Sequence, residues 1–426
     1  MKNSELWTRR EKAIPRGVGT MHQRFAAKAK NAELWDVEGN RYIDFATGIA
    51  VNNTGHSDPR IVDAVKEQLD NFSHTCFQVN PYESYIELAE KLNEAAPGNS
   101  PKKSIFLTTG AEAVENAVKI ARVATGRSGI IAFKGGFHGR TMMGMALTGK
   151  VAPYKVGFGP FPTDVYHVPF PIAYHGITEE DSLNALDNLF KADIDPARVA
   201  AIILEPVQGE GGFYAASPAF MKSLRDTCDQ HGILLICDEI QTGFARTGKM
   251  FATEYSGVEP DLMTVAKAMA GGFPISAVVG KADVMDAAAP GGLGGTYGGS
   301  PLGCVAGLKV MEIIEQDNLC ERAVEIGELF KSRLLRLKGN GLNAIGEIRN
   351  LGAMIAMELV QDGDADRPDA ALTANIVRAA ADKGLILLSC GVRGNVIRFL
   401  PALTASDDVL NEGLDILEQV FRDQAA

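Results

Sequence analysis

Lys267 stands in the stretch LMTVAKAMAGGFPISAVVG, residues 262–280, among alanines, a glycine pair and β-branched residues. Lysine is seldom buried without a partner, so an ammonium there either reaches water or has chemistry to perform. In a poorly solvated pocket its pKa falls, and the amine becomes a nucleophile toward a carbonyl. Asp238 closes the apolar run GILLICDE, residues 232–239, where an unpaired carboxylate costs free energy. It calls for a cationic partner or water, and a protonated ring nitrogen meets that need. TTGAEAVENAVKIAR, residues 108–122, sets Gly110 at the turn into a helical pattern. Free N–H groups and the helix dipole suit a phosphate there. An ordinary helix start, capped by Thr108 or Thr109 with Glu112 in the first turn, explains the same letters.

These residues depend on the elements that carry them. Short apolar runs recur between residues 100 and 280: SIFLTT, GIIAF, VAAIILEP, GILLICDE and LMTVA. Each reads as a strand buried on both faces, and longer helical patterns follow several of them, the signature of parallel α/β architecture. AEAVENAVKIARVATG is one such helix, with Gly126 as its stop; DSLNALDNLFKAD and PAFMKSLRDTCDQHG read the same way. After residue 310 a long amphipathic segment, VMEIIEQDNLCERAVEIGELFKSRLLRLK, leads to GAMIAMEL, another helix, GLILLSCG and VIRFLPAL. The expected organisation is a large domain over 56–310 with a mostly parallel central sheet and a smaller α+β domain over 311–426. Residues 1–55, with WDVEGNRYIDFATGIAV as a hairpin, are expected to pack on the smaller domain.

Ligands of open α/β sheets bind beyond the carboxyl ends of the strands. There this chain offers TTGAEA, KGGFHGR, EPVQGEGG, DEIQTGFARTGK and KAMAGG. Ala266, Ala268, Gly271 and Gly272 leave room for a flat ring beside Lys267. One cofactor unites cradle, acid and lysine: pyridoxal 5'-phosphate, joined to Lys267, with its ring nitrogen on Asp238. GFARTGKM matches GxxxxGK after a strand, but Met250 stands where a hydroxyl should hold Mg²⁺, which argues against the nucleotide-binding alternative.

Composition narrows the field further. The 426 residues, 46% apolar and 22% charged, predict two or three domains of about 150 residues. The net charge of −11 argues against nucleic acid as a partner. No run is apolar enough to span a bilayer, and MKNSELWTRREKAIPRGVG lacks a secretory h-region, so a cytoplasmic protein is expected. Six scattered cysteines without a CxxC pair read as buried reduced thiols, and no metal site is expected.

WDVEGNRYIDFATGIAVNNTGH, SHTCFQV, TTGAEAVENAVKIARVATGRSG, FHGRT, EPVQGEGGFY, CDEIQTGFARTGKMFA, AKAMAGGFPISAVVG, PGGLGGTYGGSPLGC and NVIRFLPALT carry a resemblance along the whole chain. It resembles the fold-type I, class III pyridoxal-phosphate aminotransferases. The resemblance implies cofactor phosphate on Gly110 and Ala111, with Thr296 reaching it from a second subunit, hence a homodimer, with pairing into tetramers left open. It implies ring contacts from Phe137 and Ile240, Gln241 on the ring hydroxyl, and Glu205 and His138 beside them. Relatives often carry Tyr at position 137; stacking survives that change. Arg140 is implied to bind a distal carboxylate and Arg398 an α-carboxylate. Glu210 pairs with Arg398 when a donor lacks the second group, and Ile49 and Gln78 lie in the substrate pocket. The implied reaction is ping-pong transfer of an ω-amino group to 2-oxoglutarate, giving glutamate. The donor is 4-aminobutyrate, leaving succinate semialdehyde, with 5-aminovalerate beside it and ornithine or other ω-amines as alternatives.

Overall fold

The computed structural model describes residues 1–339 and 343–425. Seven strands form the central sheet, numbered here along the chain: β1 Lys102–Leu107, β2 Gly129–Phe133, β3 Val165–Val168, β4 Val199–Leu204, β5 Leu234–Asp238, β6 Leu262–Val265 and β7 Ser276–Lys281. Their spatial order is β1-β7-β6-β5-β4-β2-β3. β7 runs antiparallel to both neighbours; the pairings β6-β5, β5-β4, β4-β2 and β2-β3 are parallel. Every residue of β2 and β4 is buried, as continuous apolar runs covered on both faces require. Sequence pattern finds five of the seven. β3 is a short edge strand, and β7 reads in sequence as the tail of the lysine segment.

Helix α1, Gly110–Thr125, follows β1 and is fixed at both ends by local chemistry. Thr109 accepts from the Glu112 amide while the Glu112 carboxylate accepts from the amides of Thr108 and Thr109, a capping box. Gly126 ends the helix in the left-handed conformation at φ 67°, as its sequence position predicts. The helix buries Ala113, Val114, Ala117, Val118 and Ile120, packing with Ile130, Ala201 and Ile236 in one apolar cluster. A second cluster builds on Ile131, Ile202 and Leu235 together with Phe220 and Leu224, which belong to the helix Pro218–His231.

The segment read as one long amphipathic stretch is two helices, Pro301–Gln316 and Leu319–Gly339; Asn318, at φ 51°, turns the chain between them. Beyond them the strand Met354–Gln361 pairs antiparallel with Ile345–Leu351 and with Val396–Phe399, placing Arg398 opposite Ala356. Near the N-terminus, Glu33–Asp36 and Arg41–Asp44 form the expected hairpin. Its second strand pairs in parallel with Leu385–Ile386. All six cysteines are free thiols. Among the described residues no helix is long and apolar enough to cross a membrane.

The GxxxxGK lookalike is no phosphate loop. Phe244 and Arg246 are fully buried. Arg246 donates through Nε and Nη2 to Asn53 Oδ1 and through Nη1 to the carbonyls of Ala353 and Pro401. Burial lowers its pKa to about 9. The segment is a clamp between distant parts of the chain, which removes the nucleotide-binding alternative.

Candidate active site

β5 and β6 are parallel neighbours with Asp238 in register with Thr264. The chain leaving both carboxyl ends therefore delivers Asp238 and Lys267 to one cavity of about 390 Å³. Thr109, Gly110 and Ala111 from the start of α1 line it, as do Phe137, His138, Glu205, Ile240 and Gln241. Nine of the ten cofactor-site residues named from sequence thus line one space, Thr296 being the exception.

Lys267 opens a short 3-10 turn, Lys267–Ala270, at φ 47°, a left-handed conformation that costs a non-glycine residue about 1 kcal/mol or more. From this turn Lys267 lines the cavity. Burial lowers its pKa to about 8, although Glu210, Glu205 and Asp238 pull the other way. Asp238 is 2% exposed; its Oδ2 lies 2.8 Å from His138 Nδ1 and its Oδ1 accepts from the Ile240 amide. For His138, burial opposes protonation, but Asp238 outweighs it and raises the pKa. Sequence reasoning named His138 without this role; the signal was a second titratable group in the loop that carries Phe137. Glu205 accepts from the amides of Phe137 at 2.8 Å and Gly209 at 2.9 Å, fixing the backbone of the aromatic wall. Burial raises its pKa to about 7.

The first amides of α1 have no intrahelical acceptor; the cap occupies that of Glu112 and not those of Gly110 and Ala111, two residues that line the cavity. Gly139, at φ +117°, lets its loop approach this helix start; a Cβ there would lie 2.8 Å from that of Ala111. Gln241 Oε1 and His138 Nε2 are buried without a hydrogen-bond partner. Unpaired amides, an acid, a low-pKa amine, an orphaned amide oxygen and an aromatic wall fit pyridoxal phosphate.

Arg140, Glu210 and Arg398 lie outside this cavity wall and form a second group. Arg398 Nη1 sits 2.5 Å from Glu210 Oε1. Its Nε is buried without a partner, a vacancy suited to a carboxylate. Burial works against both charges of the pair, yet Arg398 holds Glu210 below its ordinary pKa and Glu210 raises that of Arg398. Arg140 is exposed, with its guanidinium 4.8 Å from the Tyr154 ring centroid. Tyr154 stands 5.0 Å from the Phe137 ring and joins the two groups; nothing in APYK marks it.

Three expected residues sit apart. Ile49 is 39% exposed, on a turn where Thr47, Gly48, Ile49 and Ala50 all have positive φ; the next residue of that segment, Val51, lines the cavity. Gln78 is exposed and donates to the Leu293 carbonyl. Thr296 is exposed in a neighbouring recess with Thr108 and Glu112.

Comparison with known proteins shows the family. The chain is 56% identical over 419 residues to a 4-aminobutyrate aminotransferase of Escherichia coli, covering 98% of each. It is 55% identical over 423 residues to a 5-aminovalerate aminotransferase of Pseudomonas aeruginosa, covering 99% of each. Among solved structures, an aminotransferase from Bacillus anthracis matches with a TM-score of 0.91 at 31% identity, over 99% of this chain and 100% of that one. The ornithine aminotransferase of Toxoplasma gondii matches with a TM-score of 0.88 at 28% identity, over 100% and 96%. Residues 13–421 match the class-III aminotransferase family model, and the chain belongs to that family.

Proposed function

We propose that this enzyme transfers the ω-amino group of 4-aminobutyrate to 2-oxoglutarate, giving succinate semialdehyde and glutamate. The observation that carries the reading is the Arg398–Glu210 pair at 2.5 Å, close enough to Lys267 for both charges to act on its amine. One site must accept a donor with a single carboxylate and also glutamate, which has two. A buried arginine with a carboxylate of its own answers both needs.

When bound, pyridoxal phosphate supplies an electron-poor ring that accepts the charge left when a proton leaves the substrate carbon. The chain's residues do the rest. The amides of Gly110 and Ala111 would hold the phosphate, Phe137 and Ile240 would contact the ring, and Gln241 would meet its hydroxyl. Asp238, anchored by His138, would keep the ring nitrogen protonated, and Glu205 steadies the Phe137 backbone. Lys267 Nζ, its pKa lowered by burial to about 8, takes the proton from the amine-bearing carbon and would deliver it to the cofactor carbon that receives the nitrogen. Arg140 binds the carboxylate distal to the reacting carbon in either substrate. Glu210 stays on Arg398 for an ω-amino acid and yields to the α-carboxylate of glutamate. Ile49 and Gln78 belong to this reading as flanks of the substrate pocket.

The same reading makes the protein a cytoplasmic homodimer with Thr296 completing the phosphate site of the second subunit. It divides the chain at residues 55 and 310; the pairing of Arg41–Asp44 with Leu385–Ile386 supports grouping the N-terminal segment with the smaller domain. A second donor, 5-aminovalerate, is favoured by the 55% identity to an enzyme of that name. One methylene is worth only about 1–3 kcal/mol of discrimination.

The test is a single-turnover spectrum of the holoenzyme with each amine and no keto acid. Conversion of the cofactor band by 4-aminobutyrate, reversed by 2-oxoglutarate, is the expected result, and the 5-aminovalerate rate measures the second activity. Conversion by ornithine or putrescine alone would overturn the substrate assignment.

A further inference from the structure

Tyr154 is 7% exposed and touches both Arg140 and Glu210 of the substrate group. Its ring lies 5.0 Å from Phe137 and carries the Arg140 guanidinium at 4.8 Å, a cation–π distance. Its hydroxyl donates to Glu210 Oε2 at 3.4 Å, while Glu210 Oε1 is held by Arg398. The two oxygens of one carboxylate thus have different partners, one charged and one neutral. Burial, with the Glu210 charge adding to it, pushes the phenol up to about 12, so the hydroxyl keeps its proton at neutral pH.

We propose that Tyr154 is a positioning residue that couples the two substrate arginines, its ring steadying Arg140 and its hydroxyl weighting Glu210 toward Arg398. The role rests on the functional reading above and adds a determinant of the balance between ω-amines and glutamate. A carboxylate that swings off Arg398 gives up the phenol as well, so the hydroxyl favours the arrangement that receives a donor with one carboxylate. A long hydrogen bond of this kind shifts such an equilibrium by about threefold to fivefold.

The experiment compares wild type, Tyr154→Phe and Tyr154→Leu as holoenzymes, using two unreactive probes in calorimetry. Valerate, with one carboxylate, needs only Arg140. Glutarate needs Arg140 and an Arg398 freed from Glu210. Tyr154→Phe keeps the ring and is expected to tighten glutarate by about threefold to fivefold while leaving valerate unchanged. The ratio of half-reaction rates, 4-aminobutyrate over glutamate, should fall by a similar factor. Tyr154→Leu removes the face over Arg140 and should weaken both probes. Equal changes for both probes in Tyr154→Phe, or no change in either, would overturn the role. A wild type converted by glutamate but not by 4-aminobutyrate would reject the functional reading and this inference with it. A wild type converted by both, with an unmoved probe ratio in Tyr154→Phe, would reject only the inference.

Discussion

At the scale of single residues, the site works by placing charges where water cannot relax them. Lys267 has a folded pKa of about 8 against an ordinary 10.5. Below pH 8 the amine is charged in both folded and unfolded chains, and the native state bears the full burial penalty. Between pH 8 and 10.5 the native amine is neutral while the unfolded one still holds its proton, so stability rises with pH across that window. Relative to Lys267→Met, the cofactor-free wild type should gain about 2–3 kcal/mol between pH 7.5 and 10.5, read as the difference between denaturant midpoints. A flat difference would mean that the amine is solvated. Glu210 gives the complementary case: its removal leaves Arg398, 4% exposed, without a counter-charge. Breaking a buried pair costs about 3–5 kcal/mol. Glu210→Ala should therefore lower kcat/KM for 4-aminobutyrate by about a hundredfold or more, and that for glutamate, which brings its own carboxylate, by less than about tenfold. Equal losses in the two half-reactions would reject the switch.

At the scale of elements, the cofactor cradle depends on how closely α1 meets the chain leaving β5. A Cβ on Gly110 would lie 2.9 Å from Ile240 Cδ1. Ile240 is a flexible side chain, so Gly110→Ala should displace it into the cavity without unfolding the helix. The expected result is an apoprotein melting within about 3 °C of wild type and cofactor affinity weakened by about tenfold, measured by absorbance titration. Unchanged affinity would show that Ile240 has room elsewhere. Much of this layer was legible in the sequence, because buried parallel strands are continuous apolar runs and helix caps are local chemistry: Thr109, Glu112 and Gly126 specify α1 almost alone. Asp238 and Lys267 stood out as charges closing such runs. β3 and β7 were not separable, one being a short edge and the other adjoining the lysine segment without a break. Tyr154 and the anchoring role of His138 were illegible because both depend on contacts between remote segments, His138 with Asp238 and Tyr154 with Arg140 and Glu210. Val51 lines the cavity just after four consecutive positive-φ residues turn the chain, a conformation no local pattern announces.

At the scale of the whole molecule, the chain closes on itself through contacts between its ends. Arg246 ties Asn53, Ala353 and Pro401 together, and Thr47 donates to the Leu400 carbonyl beside the Arg398 strand. Thr296 stays outside this closure: it is exposed and does not line the cavity of its own chain. If the partner subunit's Thr296 completes each phosphate site, lesions at Lys267 and Thr296 carried on different chains must complement. In a hybrid of a Lys267→Ala chain with a Thr296→Asp chain, one site combines both lesions and the other has neither. The Thr296→Asp carboxylate repels the phosphate, so both parent homodimers should be nearly inactive. Random equal mixing makes half the dimers hybrid, each with one sound site, and about a quarter of wild-type activity should return. Co-expression of the two chains with different affinity tags isolates the hybrid for measurement. A hybrid no more active than the mean of its parents would place Thr296 at the site of its own chain and remove the reason for a shared active site.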